Sequence, residues 1–203
     1  MNKFKKFCNN VISGISAGII IGIATTMYVV CPNKIVGAFL FSFGLMAICI
    51  LRQTLYTGAI GYVFIKQTGI LSGLLGNALG VCGISLLIRA YSQEIHTASN
   101  TILVGKLEVL PIKMFISAII CGMLMFIAVE IFNRTNDSVL GIITAVPCFI
   151  ICGFDHCIVN MYHLTMANSW YEFVIGTMVV SLSLIGNSLG AMLMFLLLRK
   201  RFN

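Results

Sequence analysis

The chain has 203 residues, 59% of them hydrophobic and only 9% charged, with a mean hydropathy of +1.03. A soluble domain carries roughly a quarter of its residues as charges, so this composition excludes a water-exposed globular surface and points to apolar spans of ~20 residues. The net charge of +7 excludes little by itself, but its placement argues against a nucleic-acid partner. Lys3, Lys5 and Lys6 precede the first apolar run, Arg199, Lys200 and Arg201 follow the last, and no basic groove with interleaved aromatics accompanies them.

The first apolar stretch runs from about Val11 to Val30. It is longer than a signal-peptide core of ~7–15 residues and lacks a small-x-small cleavage site, so it reads as a span. A turn at Cys31-Pro32-Asn33-Lys34 follows. The second stretch, about Ile35 to Ile65, is too long for one simple crossing and is interrupted at Arg52-Gln53-Thr54 and Thr57-Gly58. After a tight turn at Lys66-Gln67-Thr68-Gly69, a third stretch covers about Ile70 to Leu87. Tyr91 to Val109 is the longest polar segment, with Gln93, Glu94, His96, Lys106 and Glu108, and is expected to be a loop with some interfacial structure. The fourth stretch is about Pro111 to Phe132, closed by the turn Asn133-Arg134-Thr135-Asn136-Asp137. The fifth, about Val139 to Leu164, is broken by Gly153, Asp155 and His156, and the last covers about Phe173 to Leu198. Six crossings is an even number. Basic clusters at both ends place both termini on the cytoplasmic side of a cell membrane by the positive-inside rule.

Gly76-Asn77-Ala78-Leu79-Gly80 in the third span is repeated as Gly186-Asn187-Ser188-Leu189-Gly190 in the sixth. Each half reads as span, broken span, Gly-Asn-x-x-Gly span. Three crossings per half make the second copy enter from the opposite side. The expected fold is therefore all-α: one integral membrane domain over 1–203, with inverted repeats at 11–90 and 111–198 joined by a loop at 91–110. In such repeats the substrate site lies near the bilayer midplane between broken helices. Small residues four apart also suit close helix packing.

Eight cysteines follow no disulfide or metal pattern. Cys49, Cys82, Cys121, Cys148, Cys152 and Cys157 lie in apolar runs, where Cys acts as a small hydrophobe. Cys148 and Cys152 are one turn apart without a companion pair. Neither a metal nor a cofactor is expected.

Chemistry concentrates at 153–161, Gly-Phe-Asp-His-Cys-Ile-Val-Asn-Met. An acid beside a histidine inside an apolar run is costly, so both are expected to face a polar cavity or a partner. His156 reads either as a pore group that donates to, or protonates, a passing anion or as a neutral histidine bonded to a neighbouring carbonyl. His96 and His163, in or near loops, read as surface residues. The Thr57 hydroxyl either touches the histidine or substrate, or only caps a half-helix.

These residues resemble the formate/nitrite transporter family. Its Gly-Phe-Glu-His-Ser-x-Ala-Asn-Met looks like 153–161, its Leu-Phe-Thr-Gly like Leu55-Tyr56-Thr57-Gly58, and its Gly-Asn-x-x-Gly elements match 76–80 and 186–190. The resemblance implies an aquaporin-like protomer of six helices with the second and fifth broken, a homopentamer embedded in lipid, and a pore in each protomer for a small monovalent anion. His156 would be the central pore histidine, Thr57 its partner, and Leu55, Tyr56 and Phe149 the apolar constrictions. Asn160 would hold the broken fifth helix. Lys106 looks like the family's lysine ahead of the fourth helix and would raise local anion concentration. Three features depart from the pattern. Arg52-Gln53-Thr54 replaces small and acidic residues, Ala59 replaces a frequent asparagine, and Gly122 stands where the fourth helix usually carries asparagine. Arg52 is expected to pair with Asp155 or to attract anions electrostatically. Formate or nitrite is the expected substrate, with hydrosulfide as an alternative. A membrane enzyme using Asp155 and His156 as an acid–base pair is the lesser alternative, since it lacks a second cluster of intramembrane polar residues and a nucleophile at an obvious spacing. A scaffold without transport has no need of Asp155, His156 and Arg52.

Overall fold

A computed structural model describes residues 3–65 and 69–199, and among these every regular element is a helix. In chain order they are α1 (Lys3–Val30), α2 (Lys34–Ile50), α3 (Tyr56–Ala59, continued by a 3₁₀ turn over Ile60–Phe64), α4 (Ile70–Tyr91), α5 (Gln93–Leu107), α6 (Pro111–Arg134), α7 (Leu140–Ile151), α8 (Cys157–Leu164) and α9 (Trp170–Arg199). The turn at 66–68 and the cations Lys200 and Arg201 lie outside the described residues. Four helices, α1, α4, α6 and α9, are long and apolar enough to cross a membrane. The other two apolar stretches are each split by an extended segment, α2 from α3 and α7 from α8.

Local chemistry accounts for the ends. Asn33 caps α2 by accepting from the Ile35 and Val36 amides. Lys3, Lys5 and Lys6 belong to the first turns of α1 rather than to a separate tail. The polar segment expected as a loop forms α5. Ser92 caps it by accepting from Ile95 N, Glu94 sits in its first turn and Lys106 in its last, so charge complements the helix dipole at both ends.

The close pairs are α1 with α4 and α6 with α9, and the two Gly-Asn-x-x-Gly elements form their contacts. A Cβ at Gly80 would collide with the Ile15 carbonyl, and one at Gly190 with that of Ile119. Gly122 lies against the Asn187 backbone carbonyl, so the asparagine expected there by resemblance has no room. The middle of the molecule is filled by large side chains from both halves, among them Leu45, Phe126, Phe149, Ile158 and Tyr162.

Each break is built the same way. Arg52 (φ 55°) and Gly153 (φ 72°) take the left-handed position just past α2 and α7. The next amide in each case reaches back five residues, Gln53 N to Ile48 O at 2.9 Å and Phe154 N to Phe149 O at 2.9 Å. Only the second half uses the residue type that adopts this conformation without steric cost.

The following polar backbone is then held by one asparagine. Asn77 Oδ1 accepts from Tyr56 N (2.8 Å), while its Nδ2 donates to Thr54 O (2.8 Å) and Gly14 O (2.9 Å). Asn187 repeats the pattern with Cys157 N (2.9 Å), Asp155 O (2.8 Å) and Ala118 O (2.8 Å). Both asparagines are fully buried. Removing either amide orphans one N–H and the one carbonyl of the break, Thr54 O or Asp155 O, each costing about 1–3 kcal/mol when buried, while the helical carbonyls of Gly14 and Ala118 keep their own ladder bonds. Asn77→Ala and Asn187→Ala are therefore each expected to destabilise the detergent-solubilised protein by at least about 2 kcal/mol. Thermal unfolding checks this against Ser181→Ala, a change at an exposed position.

Candidate functional site

The two breaks bring their polar side chains together. Thr57, in the first turn of α3, is fully buried, and its Oγ1 lies 3.0 Å from His156 Nε2. His156 is the N-cap of α8: its Nδ1 accepts from the Val159 amide at 3.4 Å. An accepting Nδ1 leaves the proton of the neutral ring on Nε2, so Nε2–H donates to Thr57 and the threonine hydroxyl keeps its own proton for another acceptor. The break itself lies at 51–55, just ahead of Thr57. The α3 N-cap is Leu55, so Thr57 meets the histidine rather than capping the half-helix. The Phe149 ring stacks on His156 with centroids 5.8 Å apart and planes 22° apart, and Phe41 packs edge-on against Phe149.

Asp155 faces elsewhere. Its Oδ1 is 2.5 Å from Lys106 Nζ, its Oδ2 accepts from Ser117 Oγ at 2.5 Å, and Asn160 Nδ2 donates to Oδ1 at 3.3 Å. Asn160 Nδ2 also donates to Ser183 Oγ at 2.7 Å, while its buried Oδ1 finds no protein partner. Lys106 thus enters the site from the end of α5, and the carboxylate beside His156 is occupied by the lysine. The acid–base pair allowed by sequence is not formed, because the two neighbouring side chains turn to different partners.

The expected Arg52–Asp155 pair is not formed either. The left-handed turn directs Arg52 outward, where Nη2 meets both oxygens of Asp137 at 2.7 and 2.8 Å and the guanidinium lies over the Phe132 ring. Both partners are more than half exposed, so this pair contributes little stability. Arg52 lines a cavity of about 490 Å³ together with Lys6, Thr54, Leu55, Tyr62 and Asn133. Leu55 therefore has one side toward this mouth, while Tyr56 is buried beside it.

Two histidines taken for surface residues are buried. His96 Nε2 lies 3.1 Å from Met166 O, and His163 Nδ1 lies 2.6 Å from Ser99 Oγ. They dock α5 onto the end of α8, which explains how Lys106 is held in place. Glu130 was passed over within an apolar stretch; it bonds to Tyr62 and Arg134. A charge within an apolar run was the available signal for Glu130, whereas the burial of His96 and His163 depends on α5 being a helix.

The sequence model of the formate/nitrite transporter family matches residues 2–200. Among solved structures, the fold is similar to a pentameric formate channel with formate bound, at TM-score 0.75 and 22% identity over 98% of this chain and 96% of that one. It is also similar to an FNT family ion channel, at TM-score 0.81 and 17% identity over 100% of this chain and 92% of the other. At such identities the likeness is one of fold. No curated protein matches the sequence.

The Lys106 and Asp155 side chains are 21% and 7% exposed. Removing one partner of a buried pair costs about 3–5 kcal/mol because the other charge is left unpaired. Lys106→Met alone is expected to lower thermal stability by that order, and Lys106→Met with Asp155→Asn to regain most of it. A double-mutant cycle on unfolding temperature reads this coupling directly.

Proposed function

The chain belongs to the formate/nitrite transporter family, and from that premise we propose that it is a channel or proton-coupled transporter for small monovalent anions, formate or nitrite foremost. The observation that carries this reading is the Thr57–His156 contact, which joins one break to the other in the buried middle of the chain. The single membrane domain 1–203 crosses six times, by α1, α2–α3 and α4, then α6, α7–α8 and α9. The halves 11–90 and 111–198 are inverted about the α5 segment at 91–110. Matching asparagine clamps at the two breaks support this pairing of halves. Both termini lie on the cytoplasmic side of the cell membrane, and protomers assemble as a homopentamer. The pentameric state of the formate channel that shares the fold supports the latter.

In this mechanism anions enter through the cavity edged by Arg52, whose pairing with Asp137 leaves only a weak attraction that salt screens. Leu55, Tyr56 and Phe149 then impose an apolar passage, where a bare anion is costly and its neutral acid much less so. Between them the anion meets the Thr57 hydroxyl, whose proton is available because His156 Nε2–H already donates to its oxygen. The histidine fixes that orientation, and water supplies the proton when the anion crosses as its neutral acid. Asn160 and the Lys106–Asp155 pair hold the second break around it. Asp155 neutralises the lysine, so the charge of Lys106 acts at short range.

His156→Ala is expected to lower saturable formate uptake into proteoliposomes by at least tenfold, the loss of one charge-assisted hydrogen bond and its positioning. Formate, nitrite and hydrosulfide uptake measured side by side with this variant checks it; uptake of all three at the unaltered rate contradicts the assignment.

A further inference from the structure

Two tyrosines tie the short half-helices to the opposite half of the molecule in the same way. Tyr56, on α3, has its hydroxyl 2.8 Å from Ser188 Oγ on α9, and Tyr162, on α8, has its hydroxyl 2.8 Å from Thr26 Oγ1 on α1. The direction of each bond follows from the second contact of the smaller hydroxyl. Ser188 Oγ donates to Leu184 O at 2.6 Å, and Thr26 Oγ1 donates to Gly22 O at 2.9 Å. A serine or threonine has one proton, so each must accept from the tyrosine. The phenol proton of Tyr56 is therefore engaged by Ser188, and its ring alone is left to border the break. Ser188 occupies a variable position of the Gly-Asn-x-x-Gly element, where the first half has Ala78.

We propose that Ser188 is a specificity-determining positioning residue. By accepting the Tyr56 phenol proton it keeps that donor out of the constriction, so the passage stays apolar and excludes solutes that remain charged. The inference rests on the reading that Tyr56 lies on the anion pathway. Without Ser188 the hydroxyl is free to turn to a passing ion, and a hydrogen bond to an ion lowers its barrier.

Chloride stays an anion at every pH, so the ratio of chloride to formate flux in proteoliposomes reports the donor and is independent of protein yield. Ser188→Ala is expected to raise that ratio roughly three- to tenfold, and Ser188→Thr, which keeps the hydroxyl, to leave it at the wild-type value. In the Tyr56→Phe background Ser188→Ala is expected to have no effect. An unchanged ratio in Ser188→Ala, or the same rise in the Tyr56→Phe background, overturns the proposal. Tyr56→Ala separates the two layers. If it changes formate flux while Ser188→Ala is silent, only the inference fails; if it too is silent, the pathway reading fails with it.

Discussion

The rest of the structure depends on satisfying broken backbone without water. Ending a helix and starting another inside an apolar run leaves N–H and C=O groups with no partner in the chain's own ladder, and in lipid no solvent takes their place. Asn77 and Asn187 each close that gap with three hydrogen bonds, one accepted and two donated, binding the first residue of a half-helix to the segment before it and to a third helix. Each asparagine sits between glycines that let its helix touch a neighbour's backbone. The repeated motif is thus one device: glycines bring the helices together, and the amide between them holds a break open.

With the breaks secured, their side chains are free for other work. The first presents Thr57, the second His156, and the 3.0 Å contact between them joins the two breaks. The halves differ around that contact. Arg52 occupies the left-handed turn that Gly153 fills in the second half, and the turn sends its guanidinium to the cavity mouth. The second break carries a carboxylate, which takes up Lys106 from α5. Two matching asparagine clamps therefore hold an asymmetric site, with the exposed Arg52–Asp137 pair at one edge and the buried Lys106–Asp155 pair behind the histidine.

Much of this was legible before any coordinates. The limits of the long apolar stretches, the two interruptions and the Gly-Asn repeat follow from hydropathy and from identical spacing, and the family match covers nearly the whole chain. His156 and Thr57 stood out because polar groups inside apolar runs are expensive. Partner choice was not legible. Whether Asp155 meets Arg52 or Lys106 depends on the turn at residue 52 and on α5 being a helix rather than a loop, and low hydropathy alone does not separate those two states. The burial of His96 and His163 has the same origin, since both are covered by α5 packing on α8. The spacing of the Gly-Asn-x-x-Gly elements indicates helix packing; the clamping role of their asparagines needs the distances to Tyr56 N and Cys157 N, which no spacing in the chain encodes.

On the proposed mechanism the Thr57 hydroxyl, oriented by His156, contacts the ion as it crosses. Thr57→Val preserves the shape of the side chain and removes only that hydroxyl, so formate uptake into proteoliposomes by a variant of unchanged oligomeric state is the most direct measurement. A fall of about tenfold or more is expected, the loss of one hydrogen bond to a charged group; uptake at the wild-type rate would rule that contact out.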